Sequence, residues 1–465
     1  MTKSATMPWL KSAIHYVPQW IEYQIERYRR LGCVVAITHG SKLIYEQAFG
    51  VADIRSGKAL TPRHRFRAAS HSKSFTAAGI MRLREMSKIG LDDPVGRYVS
   101  GLHKGLAQAR IGELLSHSAG VSRDGVDSEH FTDRKPYPSH TELMAMLAAK
   151  QPLEPGLQLK YSNNGYALLG CVIEAITGER YADWITRHVI KPAGLAETVP
   201  DIVHLPKRVP MAMGHSGEWP LGRRVVVPGD NPTHAMAPAA GFVATAADLA
   251  LFYSQLAPQA KKSFLSSASR REMIHRRWHD NHSAYELHYG YGVVSGGHGA
   301  KAWFGHTGGF QGFISKTAHF PETACTISVV CHALDGLSSF WVDGVASILS
   351  AFQRHGAPSK RVADWVGRWG TMWGDADLVP MGERVFMIAP EMFTPFDGHS
   401  DEIGVSGRDK AQVLKTSSFH SPGEAVRRVR DRKGRVIELW IGGSRLIGKQ
   451  ALLAELTQRY DSVEK

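Results

Sequence analysis

The amino-acid sequence predicts an α+β domain followed by a small all-β domain. Segments with apolar residues at helical spacing alternate with short strand-like runs over residues 1–355. From residue 362 onward the apolar runs are short and are separated by glycine-rich turns, which is typical of a β module. A polar stretch with glycine and proline, 354–360, separates the regions, so we predict domains at 1–355 and 361–465.

Five segments carry apolar residues at the spacing of an amphipathic helix. The second of them ends before Pro94 and the glycines near it, because proline cannot continue a helix. The third is entered through an Asn-rich turn, and Thr245 or Asp248 is available to cap the fourth. The predicted helices are 8–31, 72–90, 163–177, 246–256 and 337–353.

The strand-like runs are short and are bounded by turn residues. Two of them flank Gly40-Ser41 and predict a β-hairpin, and four later runs predict an antiparallel sheet. Three further runs lie in the C-terminal region. The predicted strands are 33–39, 43–49, 289–294, 302–305, 312–320, 325–332, 385–388, 413–415 and 436–441.

The chain is basic, with 56 lysines and arginines against 43 acidic residues in 465 residues. The basic residues are spread along the chain and no nucleic-acid module is present, so we predict a solvated basic surface and no nucleic-acid partner. The four cysteines lie in apolar runs without a C-x-x-C pair, and the 23 histidines show no metal-ligand spacing. We therefore expect buried free thiols, no metal and no cofactor.

The sequence contains no secretion signal pattern near residues 1–20 and no window of 18 or more apolar residues. These observations predict a cytoplasmic protein that does not bind or cross a membrane.

The segment Ser70-His-Ser-Lys73 begins a predicted helix. A residue at i+3 lies on the same helix face, so the Lys73 amine can reach the Ser70 hydroxyl and accept its proton. The free N–H groups of the helix N-terminus can also stabilise an oxyanion. The pattern is weak by itself, because Ser-x-x-Lys occurs again at Ser462–Lys465 and serine is a common helix cap.

Two further segments strengthen this signal. Tyr161-Ser-Asn163 stands immediately before a predicted helix, and His306-Thr-Gly308, followed by Gly309, stands on a strand-like run. Each is ordinary turn or strand-end chemistry alone. Together, in this order and on these elements, they indicate one family.

The chain resembles the serine β-lactamase and penicillin-binding-protein superfamily, on the class C and DD-peptidase side. The three segments are similar to its three motifs, and 111–120 and 239–248 are similar to two accessory stretches. The resemblance covers about residues 10–353 and implies a helical subdomain beside an antiparallel sheet flanked by helices. The C-terminal module resembles a lipocalin-like domain through 366–373 alone, and either a passive or a specificity role stays open for it.

The resemblance implies the roles of the site residues. Ser70 is the nucleophile, and the N–H groups of Ser70 and Gly309 form the oxyanion hole. Asn163 positions Lys73 and a substrate carbonyl, while Thr307 and Gly308 bind substrate. His306 stands where many relatives carry lysine, and the loss of that permanent cation argues against a β-lactam carboxylate as the natural ligand. In having histidine at this position the chain is similar to some DD-carboxypeptidases and D-aminopeptidases.

The base is either Lys73 or Tyr161. With reference pKa values of ~10.4 and ~10, only about one molecule in a thousand would have either group deprotonated at neutral pH. The site must therefore lower the pKa of at least one, by burying the lysine or by placing cations near the tyrosine.

Three functions remain open on the sequence. The first is a peptidase or amidase that acts on small molecules or small peptides, in the manner of a D-aminopeptidase or DD-peptidase. The second is an esterase of the same superfamily that takes short-chain esters, and the third is a catalytically silent relative that binds ligands. A homo-oligomer is compatible with each.

Overall fold

The computed structural model describes residues 7–398, 400–417 and 420–460. Its helices are α1 (Pro8–Arg27), α2 (His71–Glu85), α3 (Lys104–Ala107), α4 (Ile111–Leu115), α5 (His140–Ala148), α6 (Asn163–Thr177), α7 (Tyr181–Ile185), α8 (Ala237–Ala240), α9 (Ala246–Leu256), α10 (Ser267–Ile274), α11 (Ser338–His355) and α12 (Lys449–Tyr460). Its first ten strands are β1 (Gly32–His39), β2 (Lys42–Gly50), β3 (Phe66–Arg67), β4 (Val243–Ala244), β5 (Trp278–His279), β6 (Leu287–Tyr289), β7 (Val294–Gly296), β8 (Trp303–Phe310), β9 (Phe313–Phe320) and β10 (Cys325–Cys331). The others are β11 (Gly367–Thr371), β12 (Gly374–Met381), β13 (Arg384–Ile388), β14 (Ser400–Val405), β15 (Lys410–Lys415), β16 (Ala425–Arg430), β17 (Val436–Ile441) and β18 (Ser444–Ile447).

Contacts divide the chain into two units. One is formed by residues 30–342, and the other by the described residues of 1–29 and 343–465. The domain boundary between 355 and 361 stays a prediction. No helix in the described ranges is long and apolar enough to span a membrane.

The first unit, residues 30–342, is built on an eight-stranded antiparallel sheet. Its strand order is β2-β1-β10-β9-β8-β7-β6-β5. The β1–β2 hairpin turns at Gly40, whose φ of 57° lies in the left-handed region that glycine adopts without strain. Helix α9 packs against β1, β9 and β10. The predicted α+β class, with helices against an antiparallel sheet, is confirmed.

Helix α2 passes through the core of this unit. Its Phe75 ring stacks between Phe242, with centroids 4.4 Å apart, and Phe252, at 3.9 Å. Helices α6 and α8 pack on other faces of α2. Because aromatic burial contributes strongly to a core, this packing fixes the position of the first turn of α2, where Lys73 lies.

All five predicted helices are present, although α1 ends at Arg27 and α2 at Glu85, before the predicted ends at 31 and 90, and two strand predictions disagree with the structure. Segments 163–177 and 246–256 are helices with the predicted bounds. The predicted strand 289–294 is wrong: Gly290 and Gly292 form a turn there between β6 and β7, and the φ of Gly292 is 67°. The predicted strand 302–305 is too short, because β8 continues through two glycines to Phe310.

The second unit contains a closed barrel of eight antiparallel strands, β11 to β18 in chain order, followed by α12. The barrel core includes Trp365, Leu378 and Leu439. Helix α1 belongs to the same unit, where the Tyr16 hydroxyl donates to the Asp377 carboxylate at 2.7 Å. The predicted C-terminal β domain is confirmed as a barrel, and α12 is a helix in this region that the sequence analysis did not predict.

The four cysteines are free thiols. Cys33, Cys325 and Cys331 are buried, as expected, whereas Cys171 is only half-buried.

Candidate active site

Ser70 lies immediately before the first residue of α2 and is half-buried. The preceding residue, Ala69, has a φ of 52°, a left-handed conformation that costs a residue with a Cβ about 1–2 kcal/mol. Among the described residues no group accepts a hydrogen bond from the Ser70 N–H. The N–H at this helix end is therefore available to a ligand, as an oxyanion hole requires.

Lys73 lies one helical turn further on, and its side chain is fully buried. Its Nζ is 3.2 Å from Ser70 Oγ, 2.7 Å from Asn163 Oδ1 and 2.8 Å from the Ala239 carbonyl oxygen. Burial holds the pKa of Lys73 well below its ordinary value; Asp124 opposes this effect and Arg123 reinforces it. Burial therefore favours the neutral amine, which is the form that can accept a proton.

Tyr161 is the second candidate base in contact with Ser70. Its hydroxyl donates a hydrogen bond to Ser70 Oγ at 2.9 Å. Burial raises the pKa of Tyr161 above its ordinary value, and the hydrogen bond to Ser70 and the charge of Arg123 only partly counteract it. Of the two candidate bases, burial thus favours the lysine and disfavours the tyrosine.

His117 holds Tyr161 in place, although no role was predicted for it. Its backbone carbonyl accepts from the Lys160 N–H at 2.6 Å, and its Nδ1 accepts from the Ser162 N–H at 3.1 Å. Its ring also lies 4.2 Å from the Tyr161 ring. Lys160 and Ser162, which flank Tyr161 in the chain, are therefore both hydrogen-bonded to His117.

Asn163 begins α6 and lies between the Lys73 amine and the Asp124 carboxylate. Its Oδ1 accepts from Lys73 Nζ, and its Nδ2 donates to Asp124 Oδ1 at 2.6 Å. Asp124 is buried, and its Oδ2 lies 3.1 Å from Arg123 Nε.

His306 lies on β8 with its side chain buried. Its Nδ1 donates to the Thr307 carbonyl at 2.7 Å, so Nε2 carries no proton in the neutral ring and accepts from the Tyr289 hydroxyl at 3.0 Å. Burial lowers the pKa of His306 to about 3. The imidazole is therefore neutral at physiological pH and supplies no positive charge.

The next three residues of β8 alternate between its two sides. Thr307 and Gly309 are exposed, and Gly308 is buried against the segment that precedes Ser70. A Cβ on Gly308 would lie 2.4 Å from the Ala68 carbonyl oxygen, so glycine is needed for this close approach. The exposed residues can therefore reach a substrate bound at Ser70.

The structure brings Ser70, Lys73, Tyr161 and Asn163 into direct contact. His306 is linked to this group through Tyr289, whose ring centroid is 6.1 Å from that of Tyr161. The roles that the resemblance implies for Thr307, Gly308 and Gly309 stay predictions.

Four contact residues were missed. Ala239 and His117 lie within the accessory stretches 239–248 and 111–120, which offered a signal for them. Asp124 and Tyr289 lie outside the recognised motifs. No group of three or more His, Cys, Asp or Glu side chains in the described part of the chain is arranged to hold a metal ion.

A family model described as Beta-lactamase matches residues 17–345. Penicillin-binding protein 4* of Bacillus subtilis strain 168 is 33% identical over 178 residues, which are 37% of this chain and 38% of that protein. The chain spans little more than a third of the length of the curated relatives it matches first.

Solved structures with the same fold cover more of the chain. The octameric penicillin-binding protein homologue from Pyrococcus abyssi is 20% identical, with a TM-score of 0.64, and covers 94% of this chain and 100% of its own. D-amino acid amidase from Ochrobactrum anthropi SV3, complexed with L-phenylalanine, is 23% identical, with a TM-score of 0.60 and coverage of 74% and 97%. At these identities the likeness establishes the fold alone.

Proposed function

This chain belongs to the Beta-lactamase family, and from that premise we propose that it is a serine hydrolase that cleaves an amide or peptide bond through an acyl-enzyme on Ser70. The observation that carries the proposal is the set of three contacts around Lys73 Nζ. Two of the three partners, Asn163 Oδ1 and the Ala239 carbonyl oxygen, can only accept hydrogen bonds.

A neutral amine has two N–H bonds and one lone pair. If both N–H bonds are taken by the two obligate acceptors, the lone pair is directed at the third partner, Ser70 Oγ. Burial lowers the pKa of Lys73 and so increases the fraction of molecules in which the amine is neutral and can act as a base. Lys73 is therefore the general base in our proposal.

The reaction proceeds in two stages. Ser70 Oγ forms a bond to the substrate carbonyl carbon as its proton passes to Lys73 Nζ. The C–N bond then breaks, the leaving amine takes the Tyr161 proton, and the phenolate regains a proton from the Lys73 ammonium. In the second stage a water oxygen forms a bond to the acyl carbon as its proton passes to Lys73 Nζ. The bond between that carbon and Ser70 Oγ then breaks, Oγ takes the proton back, and the acid product is released.

The names of two structural neighbours favour an amide with a D-configured residue over an ester. They are D-amino acid amidase and a D-stereospecific amidohydrolase from Streptomyces sp.. The neutral His306 also favours a substrate that needs no cation at this position. The substrate class we propose is therefore the amide or short peptide of a D-amino acid.

The experiment compares turnover of D- and L-alanine p-nitroanilide, D-phenylalaninamide and p-nitrophenyl butyrate. Labelling by a fluorophosphonate is followed by intact mass, with Ser70→Ala as the control. We expect labelling that depends on Ser70 and a preference for D-amides. Faster ester turnover without amide turnover would make the chain an esterase, and an unlabelled, inactive protein would contradict the hydrolase proposal.

A further inference from the structure

The loop that contains residues 122–127 is attached to the start of α6 by hydrogen bonds of its backbone carbonyl groups. The Arg123 carbonyl accepts from the N–H groups of Asn163, at 3.0 Å, and Asn164, at 3.1 Å. The Ser162 hydroxyl donates to the Ser122 carbonyl at 2.8 Å. The position of the neighbouring Asp124 backbone relative to Asn163 is therefore fixed.

The side chain of Asp124 is 8% exposed and ends 2.6 Å from Asn163 Nδ2. A carboxylate can only accept, so it requires the NH₂ end of the Asn163 amide on its side. An amide turned by 180° would set Oδ1 against the carboxylate and Nδ2 against the Lys73 amine. Asp124 therefore selects the one orientation in which Oδ1 faces Lys73.

We propose that Asp124 is a positioning residue for Lys73, acting through the Asn163 amide. With Oδ1 turned towards the amine, one N–H of Lys73 is taken by Asn163 and its lone pair stays directed at Ser70 Oγ. This inference rests on the proposed function, because it concerns the geometry of the proposed base.

The charge of Asp124 has an opposing effect that must be offset. A negative carboxylate near Lys73 favours the ammonium form, which cannot act as a base. Arg123 Nε lies 3.1 Å from Asp124 Oδ2, and its positive charge acts on Lys73 in the opposite direction. The carboxylate therefore orients the amide, while the guanidinium partly offsets the effect of its charge on Lys73.

The other titratable groups around Lys73 are uncharged near neutral pH. They are two tyrosines whose pKa burial raises and two histidines whose pKa burial lowers, namely Tyr161, Tyr166, His117 and His306. Substitutions that remove the charge of Asp124 or Arg123 are therefore the ones expected to shift the pKa of Lys73.

The test measures the rate constant for fluorophosphonate labelling of Ser70 against pH, together with kcat for an active substrate. Asp124→Leu removes the acceptor, and we expect at least a tenfold loss of both rates at the pH plateau. Asp124→Asn keeps a carbonyl acceptor for Asn163 Nδ2, so its plateau should exceed that of Asp124→Leu at least tenfold.

The pH profile separates orientation from a purely structural role. The labelling rate constant rises with pH as Lys73 loses its proton, and we call this part of the pH profile the rising limb. Asp124→Asn removes a negative charge and so should move the rising limb to lower pH. Arg123→Gln leaves the carboxylate charge without its offset and should move the limb to higher pH. Asp127→Asn is the matched control, since this exposed carboxylate on the same loop pairs with Lys135 at 2.6 Å, and its profile should equal that of the wild type.

Equal plateaus for Asp124→Leu and the wild type would overturn the inference, as would equal losses in Asp124→Leu and Asp124→Asn. If Asp124→Leu fails to fold by circular dichroism, the opposite pH shifts of Asp124→Asn and Arg123→Gln still decide, and unshifted limbs overturn the inference. A wild-type protein that the fluorophosphonate does not label would instead overturn the proposed function, and the inference with it.

Discussion

Replacing Lys73 by methionine and Tyr161 by phenylalanine should have very different consequences for hydrolysis of p-nitrophenyl butyrate. This ester has a leaving group that departs without a proton, so the assay isolates the attack of Ser70. Lys73→Met removes the base and keeps a side chain of similar length, and loss of a general base typically lowers the rate ~10²–10⁴-fold.

Tyr161→Phe removes one hydrogen bond between neutral groups, the 2.9 Å contact with Ser70 Oγ. Such a bond is worth about 0.5–1.5 kcal/mol, which corresponds to a loss of roughly 2- to 13-fold. The expected ratio between the two variants is therefore at least about eightfold. Stopped-flow measurement of p-nitrophenolate release gives the acylation rate directly.

The pH dependence provides a second measure in the same assay. A base acts only when deprotonated, so the acylation rate should rise with pH and level off above the pKa of Lys73. Because burial lowers that pKa, the plateau should be reached well below the ordinary lysine value of ~10.4. A Tyr161→Phe variant that loses as much activity as Lys73→Met, or that loses the rising limb, would refute our assignment of the base.

Three further predictions concern the nucleophile, the strand and a remote histidine. Ser70→Ala should abolish turnover while the melting temperature stays within a few degrees of the wild type; retained turnover would exclude Ser70 as nucleophile. Gly308→Ala should lower kcat and thermal stability together, because its Cβ would lie 2.4 Å from the Ala68 carbonyl oxygen; unchanged melting would contradict this close packing. Burial lowers the pKa of His319 from 6.5 to about 4, so between these pH values the unfolded chain binds a proton that the folded chain does not. The free energy of unfolding should therefore fall as the pH is lowered from 6.5 to 4, by up to about 1.4 kcal/mol per pH unit. Urea unfolding at pH 7 and pH 5 measures this, and a His319→Leu variant should show a shallower fall.

The sequence could predict those parts of the site that depend on local structure. Ser70 and Lys73 share one turn of α2, so their contact follows from helix geometry once the helix is identified. The position of Asn163 at the start of α6 was also predicted from local sequence, and the structure gives this helix the predicted bounds.

The tertiary contacts of residues outside the recognised motifs could not be predicted. Asp124 reaches Asn163 across 39 positions, and the loop that carries it has no periodic pattern. The length of β8 was missed for a related reason: Gly308 and Gly309 weaken a strand pattern, yet the close approach of β8 to Ala68 requires glycine at 308.

A single physical cause sets the charge state of the whole site. Burial disfavours whichever form of a group is charged, so it lowers the pKa of Lys73 and His306 and raises that of Tyr161. Burial therefore favours the neutral forms of the amine, imidazole and phenol, and the proposed attack, with the neutral amine as base, creates an ammonium paired with an oxyanion. Asn163 Oδ1 and the Ala239 carbonyl already face the nitrogen that becomes the ammonium. These dipoles are fixed before the charge forms, so they stabilise the transition state more than the neutral ground state, which is the condition for catalysis.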